Sequence, residues 1–205
     1  AFKPAYQRFI SVIEKQSESA SSNDGVWRLP DGDAFYQRLL QWYTTTDLTA
    51  DEVHQLGLNN IARIHDQMRE IMAQVNFEGS LPAFFVFVRE NQSLRFPNTD
   101  EGREAYLTSA RDALSRMEKK LPDYFGVLPK AELIVKRVEP FRERNAGKAF
   151  YQSPPPDGSR PGIFYANLYD MSAMPKTDLE ALAFHEGLPG HHLQRAITAE
   201  LKGVP

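Results

Sequence analysis

The most restrictive feature of the sequence is the spacing of apolar residues between positions 53 and 75. Valine, leucine, isoleucine and methionine recur there every three to five residues, which places them on one face of a helix. Thr49 and Glu52 form a T-x-x-E capping box at its start. Helical spacing also runs from Asp33 to Tyr43 and from Asp100 to Leu121. We therefore predict amphipathic helices whose apolar and aromatic faces are buried in a core.

The second half of the chain changes character. Two short segments rich in β-branched and aromatic residues, Glu132 to Val138 and Ile163 to Leu168, predict strands. A second capping box, Thr177 to Glu180, opens a helix that leads into a histidine-rich segment. The predicted fold class is mainly α (α+β), with long amphipathic helices, a small β-sheet edge and a C-terminal motif helix.

No domain boundary is evident in the sequence, so we expect residues 1–205 to form a single domain. Within it we expect a helical part at residues 1–128 and the strands plus the motif helix at residues 129–205. The chain starts without methionine and stops behind an amphipathic segment. We therefore expect it to be a fragment of a larger protein, with the remainder of that protein as its partner.

The composition excludes several classes of protein. A net charge of -3 is not the basic excess of a nucleic-acid-binding protein, so we expect no nucleic-acid partner. No apolar run reaches the roughly 18–20 residues of a membrane span, so we expect no membrane span. Cysteine is absent, which excludes disulfide scaffolds and thiol catalysis and leaves His, Asp and Glu as strong metal ligands. Both the cytoplasm and the periplasm remain open as locations.

The main chemical signal is a cluster of histidines at His185, His191 and His192, with Glu186 beside the first. Imidazole is a common zinc ligand, and in HExxH zinc peptidases the glutamate beside a ligand histidine is the general base. On a regular helix His191 would point roughly 240° away from His185, and His192 would lie roughly 10 Å further along. Between the two histidines, Pro189 and the nearby Gly187 and Gly190 are residues that interrupt helices. We therefore predict a local bulge that lets His185 and His191 converge.

Four segments of the chain match a family pattern, and the last of them is highly specific. On these segments the chain resembles the bacterial family known as domain of unknown function 885 (DUF885). The resemblance implies a mainly helical protein related to HExxH zinc peptidases. The segments are Gly25–Gly32, Thr44–Glu52 with Leu56-Gly57, Ser159–Gly162 with Asn167, and Ala183–Gln194.

The resemblance also implies roles for the histidine cluster. Dipeptidyl peptidase III resembles the family in its lengthened HExxxH motif, where a glycine precedes the second histidine, which makes His191 the counterpart of the second ligand. His185 and His191 would then hold Zn²⁺, with Glu186 as the general base. The family's third ligand is a glutamate in a downstream helix that has no match in this chain, so we expect the fragment alone to be inactive. Glu200 lies too close along the same helix to replace it.

The expected substrate is a peptide. In HExxH peptidases a strand beside the helix pairs with the extended peptide, and the segment from Gly162 to Leu168 is the candidate here. Tyr165 and Asn167 in this segment, and Arg160 in the proline-rich loop before it, are the predicted substrate-binding residues.

Alternative interpretations stay open at this point. His192 is either the second ligand or a histidine that caps a helix or supports the site. The bond cleaved could belong to another amide or an ester, and the chain could instead be a non-catalytic helical module that binds peptides or another subunit. For a bacterial protein of this kind, the cytoplasm and the periplasm both remain possible.

Overall fold

The computed structural model describes residues 2–23, 25–157 and 159–201. The chain divides into two compact units, residues 1–81 and 82–205. The expected single domain, with a helical part up to residue 128 and the strands plus the motif helix from residue 129, stays a prediction. Helices dominate both units and a small sheet lies in the second, so the predicted mainly α fold class is confirmed.

Among the described residues of the first unit there are three α-helices, α1 (Phe2–Ser19), α2 (Gly32–Thr44) and α3 (Ala50–Gln74). The predicted capping box at the start of α3 is confirmed. The Glu52 N–H donates to the Thr49 hydroxyl at 3.3 Å, and the Thr49 N–H donates to the Glu52 carboxylate at 2.8 Å. These bonds satisfy two amides that the first turn of a helix leaves unpaired, which fixes where α3 begins.

The prediction that the apolar faces of these helices are buried is wrong for the first unit. Met72 is the buried residue of α3, and the other large apolar side chains of its stripe are exposed or partly exposed. The helical spacing is present, but burial needs a second apolar surface of matching shape. The exposed side chains of α2 and α3 include Phe35, Tyr36, Trp42, Tyr43, Leu56, Ile61, Ile64, Ile71 and Val75.

In its described residues the second unit has four α-helices and three strands. The helices are α4 (Leu81–Glu90), which begins at the boundary residue, α5 (Asp100–Glu118), α6 (Lys176–Glu186) and α7 (His191–Glu200). The strands are β1 (Leu133–Arg137), β2 (Ala149–Gln152) and β3 (Gly162–Ala166). The two predicted strands are confirmed as β1 and β3, whereas β2 was not predicted. No helix in the described ranges combines the length and apolarity that crossing a bilayer requires.

The sheet has the strand order β1-β3-β2. The central strand β3 is parallel to β1 and antiparallel to β2. Because both sides of β3 are paired, its backbone cannot also pair with a peptide. The prediction that residues 162–168 bind substrate by backbone pairing is therefore wrong, and the strands with an open edge are β1 and β2.

The core of the second unit lies between one face of the sheet and helices α5 and α6. Alternate residues of β3 point to this face, and Phe164 and Ala166 are fully buried there. They pack with Tyr106 and Ala110 of α5 and Ala183 of α6. Each large apolar side chain buried in this way contributes about 1.5–3 kcal/mol. This packing fixes α6, which carries His185 and Glu186, against the sheet.

Candidate active site

The histidine segment is divided between two helices. Helix α6 ends at Glu186 and α7 begins at His191, so the break is larger than the predicted bulge. Gly187 and Gly190 both adopt backbone angles outside the helical region, with φ/ψ of -103°/-108° and -81°/-131°. The His192 N–H donates to the Gly187 carbonyl at 3.0 Å and closes the turn.

The turn is packed so closely that its glycines have no room for a side chain. A Cβ on Gly190 would overlap the carbonyl oxygens of Phe184 and His185. A Cβ on Gly187 would lie 2.5 Å from the Leu114 side chain. Glycine is therefore required at both positions for α7 to approach the end of α6 this closely.

The turn brings His185 and His191 together. Their ring centroids lie 4.8 Å apart and the ring planes are inclined by 77°. His185 is exposed and His191 is half-buried, so both rings face the accessible side of the unit. The convergence predicted from the sequence is confirmed, while the role of the two rings as metal ligands stays a prediction.

Glu186, the residue that follows His185, is buried, with 6% of its surface exposed. Its Oε2 atom is the buried side-chain oxygen in the described part of the chain that has no hydrogen-bond partner. An unpaired buried polar atom costs about 1–3 kcal/mol, so such atoms are rare outside functional sites. Within the described ranges, no three His, Asp or Glu side chains come together in an arrangement that could hold a metal.

His192 lies behind the site and is 1% exposed. Its Nε2 lies 3.0 Å from the Ala131 carbonyl and its Nδ1 lies 2.9 Å from the Tyr151 hydroxyl. A carbonyl only accepts, so Nε2 carries the proton and Nδ1 accepts from Tyr151. Burial lowers the pKa of His192, although the bond to Ala131 opposes this. Both ring nitrogens are occupied, which leaves His191 as the partner of His185.

Tyr151 of β2 was not identified from the sequence. Its ring lies 6.4 Å from that of His191 with an angle of 26° between the planes. Burial raises the pKa of Tyr151 to about 12, so its hydroxyl stays protonated and can donate. The strand that carries it has four residues, too short for a period of two to stand out in the sequence.

Tyr165 lies on the opposite face of the sheet from the histidines. Gly162 of the same strand faces His192, and residues three apart on a strand point to opposite faces. The Tyr165 ring stacks on Phe150 at 4.8 Å, and the Arg142 guanidinium lies 4.9 Å from its centre. The structure therefore does not bring Tyr165 to His185 and His191, and its substrate-binding role stays a prediction.

Asn167 and Arg160 also lie in other surroundings. The Asn167 side-chain amide donates to the main-chain carbonyls of Glu143 and Ala146 at 2.7 and 3.0 Å. These bonds hold the loop between β1 and β2. Arg160 is exposed in the proline-rich loop. Neither residue joins the pair of histidines, and their predicted contact with substrate is not tested.

Glu200, judged from the sequence to be a poor third ligand, has a different partner. Its Oε1 accepts from the main-chain N–H groups of Lys130 and Ala131, at 2.8 and 3.3 Å. These bonds tie the end of α7 to the segment that leads into β1. The carboxylate is thus committed to backbone amides rather than directed at the histidine pair.

Comparison with known proteins places the chain among bacterial sequences. The family model described as "Bacterial protein of unknown function (DUF885)" matches residues 1–205. The crystal structure of the putative lipoprotein from Colwellia psychrerythraea superposes with a TM-score of 0.87 at 33% sequence identity. The match covers 96% of this chain and 34% of that one, so the chain spans about a third of the solved relative. No curated protein matches the chain.

Proposed function

The chain belongs to the bacterial DUF885 family, and we propose that it carries part of the active site of a zinc-dependent peptidase. In this proposal His185 and His191 hold the metal and Glu186 is the general base. One observation carries it: two imidazole rings converge to 4.8 Å, and the residue that follows the first of them is a buried glutamate whose Oε2 has no partner in the described residues.

The side chains present have the donor chemistry that zinc requires. Catalytic zinc sites commonly combine two or three histidines with a carboxylate and keep one position open for water or substrate. His185 and His191 supply two nitrogen ligands on the accessible side of the unit. A carboxylate from outside the described residues would complete the set. When bound, zinc supplies a Lewis acid that acidifies water and polarises the substrate carbonyl.

Glu186 has the position and the free oxygen that a general base needs. The residue directly follows His185 at the end of α6, and its side chain is held in a buried setting. Its unpaired Oε2 can accept a proton from the attacking water and then return it to the leaving amine. No neighbouring donor in the described chain competes for that atom.

The open edge of β2 is the proposed binding site for an extended peptide. In the antiparallel pair, the Asn167 N–H donates to the Lys148 carbonyl, so residues 148, 150 and 152 face β3. The main chain of Ala149 and Tyr151 therefore points outward. A peptide that adds to this edge passes next to the Tyr151 ring and hence next to His191.

The location of the intact protein is proposed from its solved relative. That protein is a putative lipoprotein, and it shares 33% identity with this chain. By this likeness we place the intact protein in the bacterial cell envelope. Cell fractionation tests this assignment, and recovery in the cytosol alone would contradict it.

Replacing Glu186 tests the proposed reaction. In the intact protein, Glu186→Gln should keep zinc, measured by elemental analysis, but lower hydrolysis of a peptide library by about 10²–10⁴-fold. Glu180→Gln on the exposed side of the same helix is the matched control and should leave turnover unchanged. Equal turnover in Glu186→Gln and wild type would contradict the general-base role. Ester and non-peptide amide substrates in the same assay identify the class of bond that is cleaved.

A further inference from the structure

A series of hydrogen bonds behind His191 links both ends of α7 to Ala131, which precedes β1, and links the start of α7 to Tyr151 of β2. The Glu200 carboxylate accepts from the Ala131 N–H, and the Ala131 carbonyl accepts from His192 Nε2. His192 Nδ1 then accepts from the Tyr151 hydroxyl at 2.9 Å. This series of hydrogen bonds ends at Tyr151, whose ring is inclined by 26° to the ring of His191.

The residues in the middle of this series of hydrogen bonds are buried. Tyr151 and His192 are 8% and 1% exposed. Gly162 of β3 lies against both of them. A Cβ at this position would overlap the Tyr151 hydroxyl and lie 2.6 Å from His192 Nδ1. The bond between Tyr151 and His192 therefore exists only because residue 162 has no side chain.

We propose that Tyr151 is a positioning residue for His191 and that His192 is its anchor. His191 is the first residue of α7 and follows a glycine, so its helix restrains its side chain from one side only. The Tyr151 ring supplies a restraint from the sheet. The Tyr151 hydroxyl is hydrogen-bonded to His192, and this bond fixes the orientation of the Tyr151 ring relative to the His191 ring. His191 is thereby held toward His185 before any ligand arrives.

The effect on metal binding rests on the proposed function. Residues that orient a metal ligand without touching the metal typically change affinity by 10–100-fold when they are removed. The Tyr151 hydroxyl is occupied by His192, and its ring faces His191. We therefore assign the Tyr151 side chain to orientation of His191.

Three substitutions separate the contribution of the Tyr151 ring from that of its hydrogen bond to His192. Tyr151→Phe keeps the ring and removes its anchor. Tyr151→Leu removes both ring and anchor. Gly162→Ala keeps every polar group but forces Tyr151 and His192 apart. Tyr106→Phe is the matched control, because Tyr106 is a buried tyrosine of α5 and has no contact with the histidine pair among the ring contacts described.

A metal-free experiment tests the positioning directly. In the intact protein with labelled histidines, the NMR signals of the His191 ring should shift and broaden in all three variants. His192 should show the Nε2–H tautomer in the wild type. His54 and His65 on α3 serve as internal controls away from the site, and unchanged main-chain amide signals of α5 in the same unit show that a variant is folded. An unmoved His191 signal in Tyr151→Leu and Gly162→Ala would overturn the proposal.

Zinc competition against a chelator gives the second readout. Affinity should fall about 10–100-fold in the three variants and stay at the wild-type value in Tyr106→Phe. Substitution with Co²⁺ should show an altered visible spectrum in the variants, because the geometry of a ligand has changed. A fall in affinity no larger than that of Tyr106→Phe would overturn the proposal.

The two readouts distinguish failure of the positioning role from failure of the proposed function. If the wild type binds no zinc while the His191 signals still shift in the variants, the zinc peptidase proposal fails and the positioning role stands. If the wild type binds zinc and neither readout changes in the variants, the positioning role fails and the peptidase proposal stands.

Discussion

Replacing Glu186 by leucine is expected to stabilise the metal-free protein. The wild-type side chain is 6% exposed and its Oε2 has no hydrogen-bond partner within the described residues. Leaving such an atom buried and unpaired costs about 1–3 kcal/mol. Glu186 is also the last residue of α6, where a negative charge opposes the helix dipole by about 0.3–1 kcal/mol. Leucine removes both penalties and keeps a good helix-forming residue.

The expected gain in the free energy of unfolding is about 2.7 kcal/mol, the sum of the middles of the two ranges. With a urea dependence of about 2 kcal/mol per M, the midpoint of urea unfolding should rise by about 1.3 M. The control is Glu180→Leu on the same helix, where an exposed ion pair with Arg116 is lost and the midpoint should stay level or fall slightly. A lower midpoint for Glu186→Leu would show that the carboxylate has a structural partner, which would refute the reasoning.

Three further predictions concern the surroundings of the site. Gly190→Ala should lower stability by about 1–3 kcal/mol and weaken zinc binding, because the new Cβ overlaps the His185 carbonyl; wild-type values in thermal unfolding and zinc titration would contradict this. The hydrogen bond from Lys148 lowers the pKa of Asp178, so Asp178→Asn should reduce stability at pH 7 by less than about 1 kcal/mol. That difference should vanish as the pH falls below the usual aspartate range, because wild-type Asp178 is then protonated too; a difference that persists in acid unfolding would contradict the assignment. Asn167→Ala should cost about 1–3 kcal/mol in thermal unfolding, because two loop carbonyls lose their donor, and no loss would exclude the structural role.

Most of the helical framework could be predicted from the sequence because helix starts and apolar periods are local signals. The capping box at Thr49 and Glu52 fixed the start of α3, and its bonds are present in the structure. The burial of the apolar helix faces could not be predicted from these local signals. The stripe on α3 has the correct period, yet Ile61, Ile64 and their neighbours are exposed, because burial depends on a partner surface that local spacing does not specify.

The order of the strands in the sheet could not be predicted from local sequence patterns either. The apolar runs of β1 and β3 predicted two strands, but not that the four-residue β2 pairs with β3 and makes it central. Strand order depends on contacts between residues distant in the chain. The expectation that β3 pairs with a peptide failed for this reason, and Tyr151 on β2 was missed with it.

At the site, the residue types could be predicted but their partners could not. The helix breakers around Pro189 indicated that His185 and His191 would converge, and their rings do meet. The sequence left the role of His192 open, because its two hydrogen-bond partners, Tyr151 and Ala131, come from other parts of the chain. Those long-range bonds distinguish His192, whose two ring nitrogens are occupied, from His191, which we propose as a metal ligand.

Zinc binding by the intact protein tests the central claim most directly. Zinc per chain and its dissociation constant should be measured by elemental analysis and chelator competition, for the wild type and for His185→Ala, His191→Ala and His54→Ala. We expect one zinc per chain in the wild type and in His54→Ala, whose histidine lies on α3, and loss of that zinc in both site variants. No zinc in the wild type, or zinc retained in both His185→Ala and His191→Ala, would contradict the account.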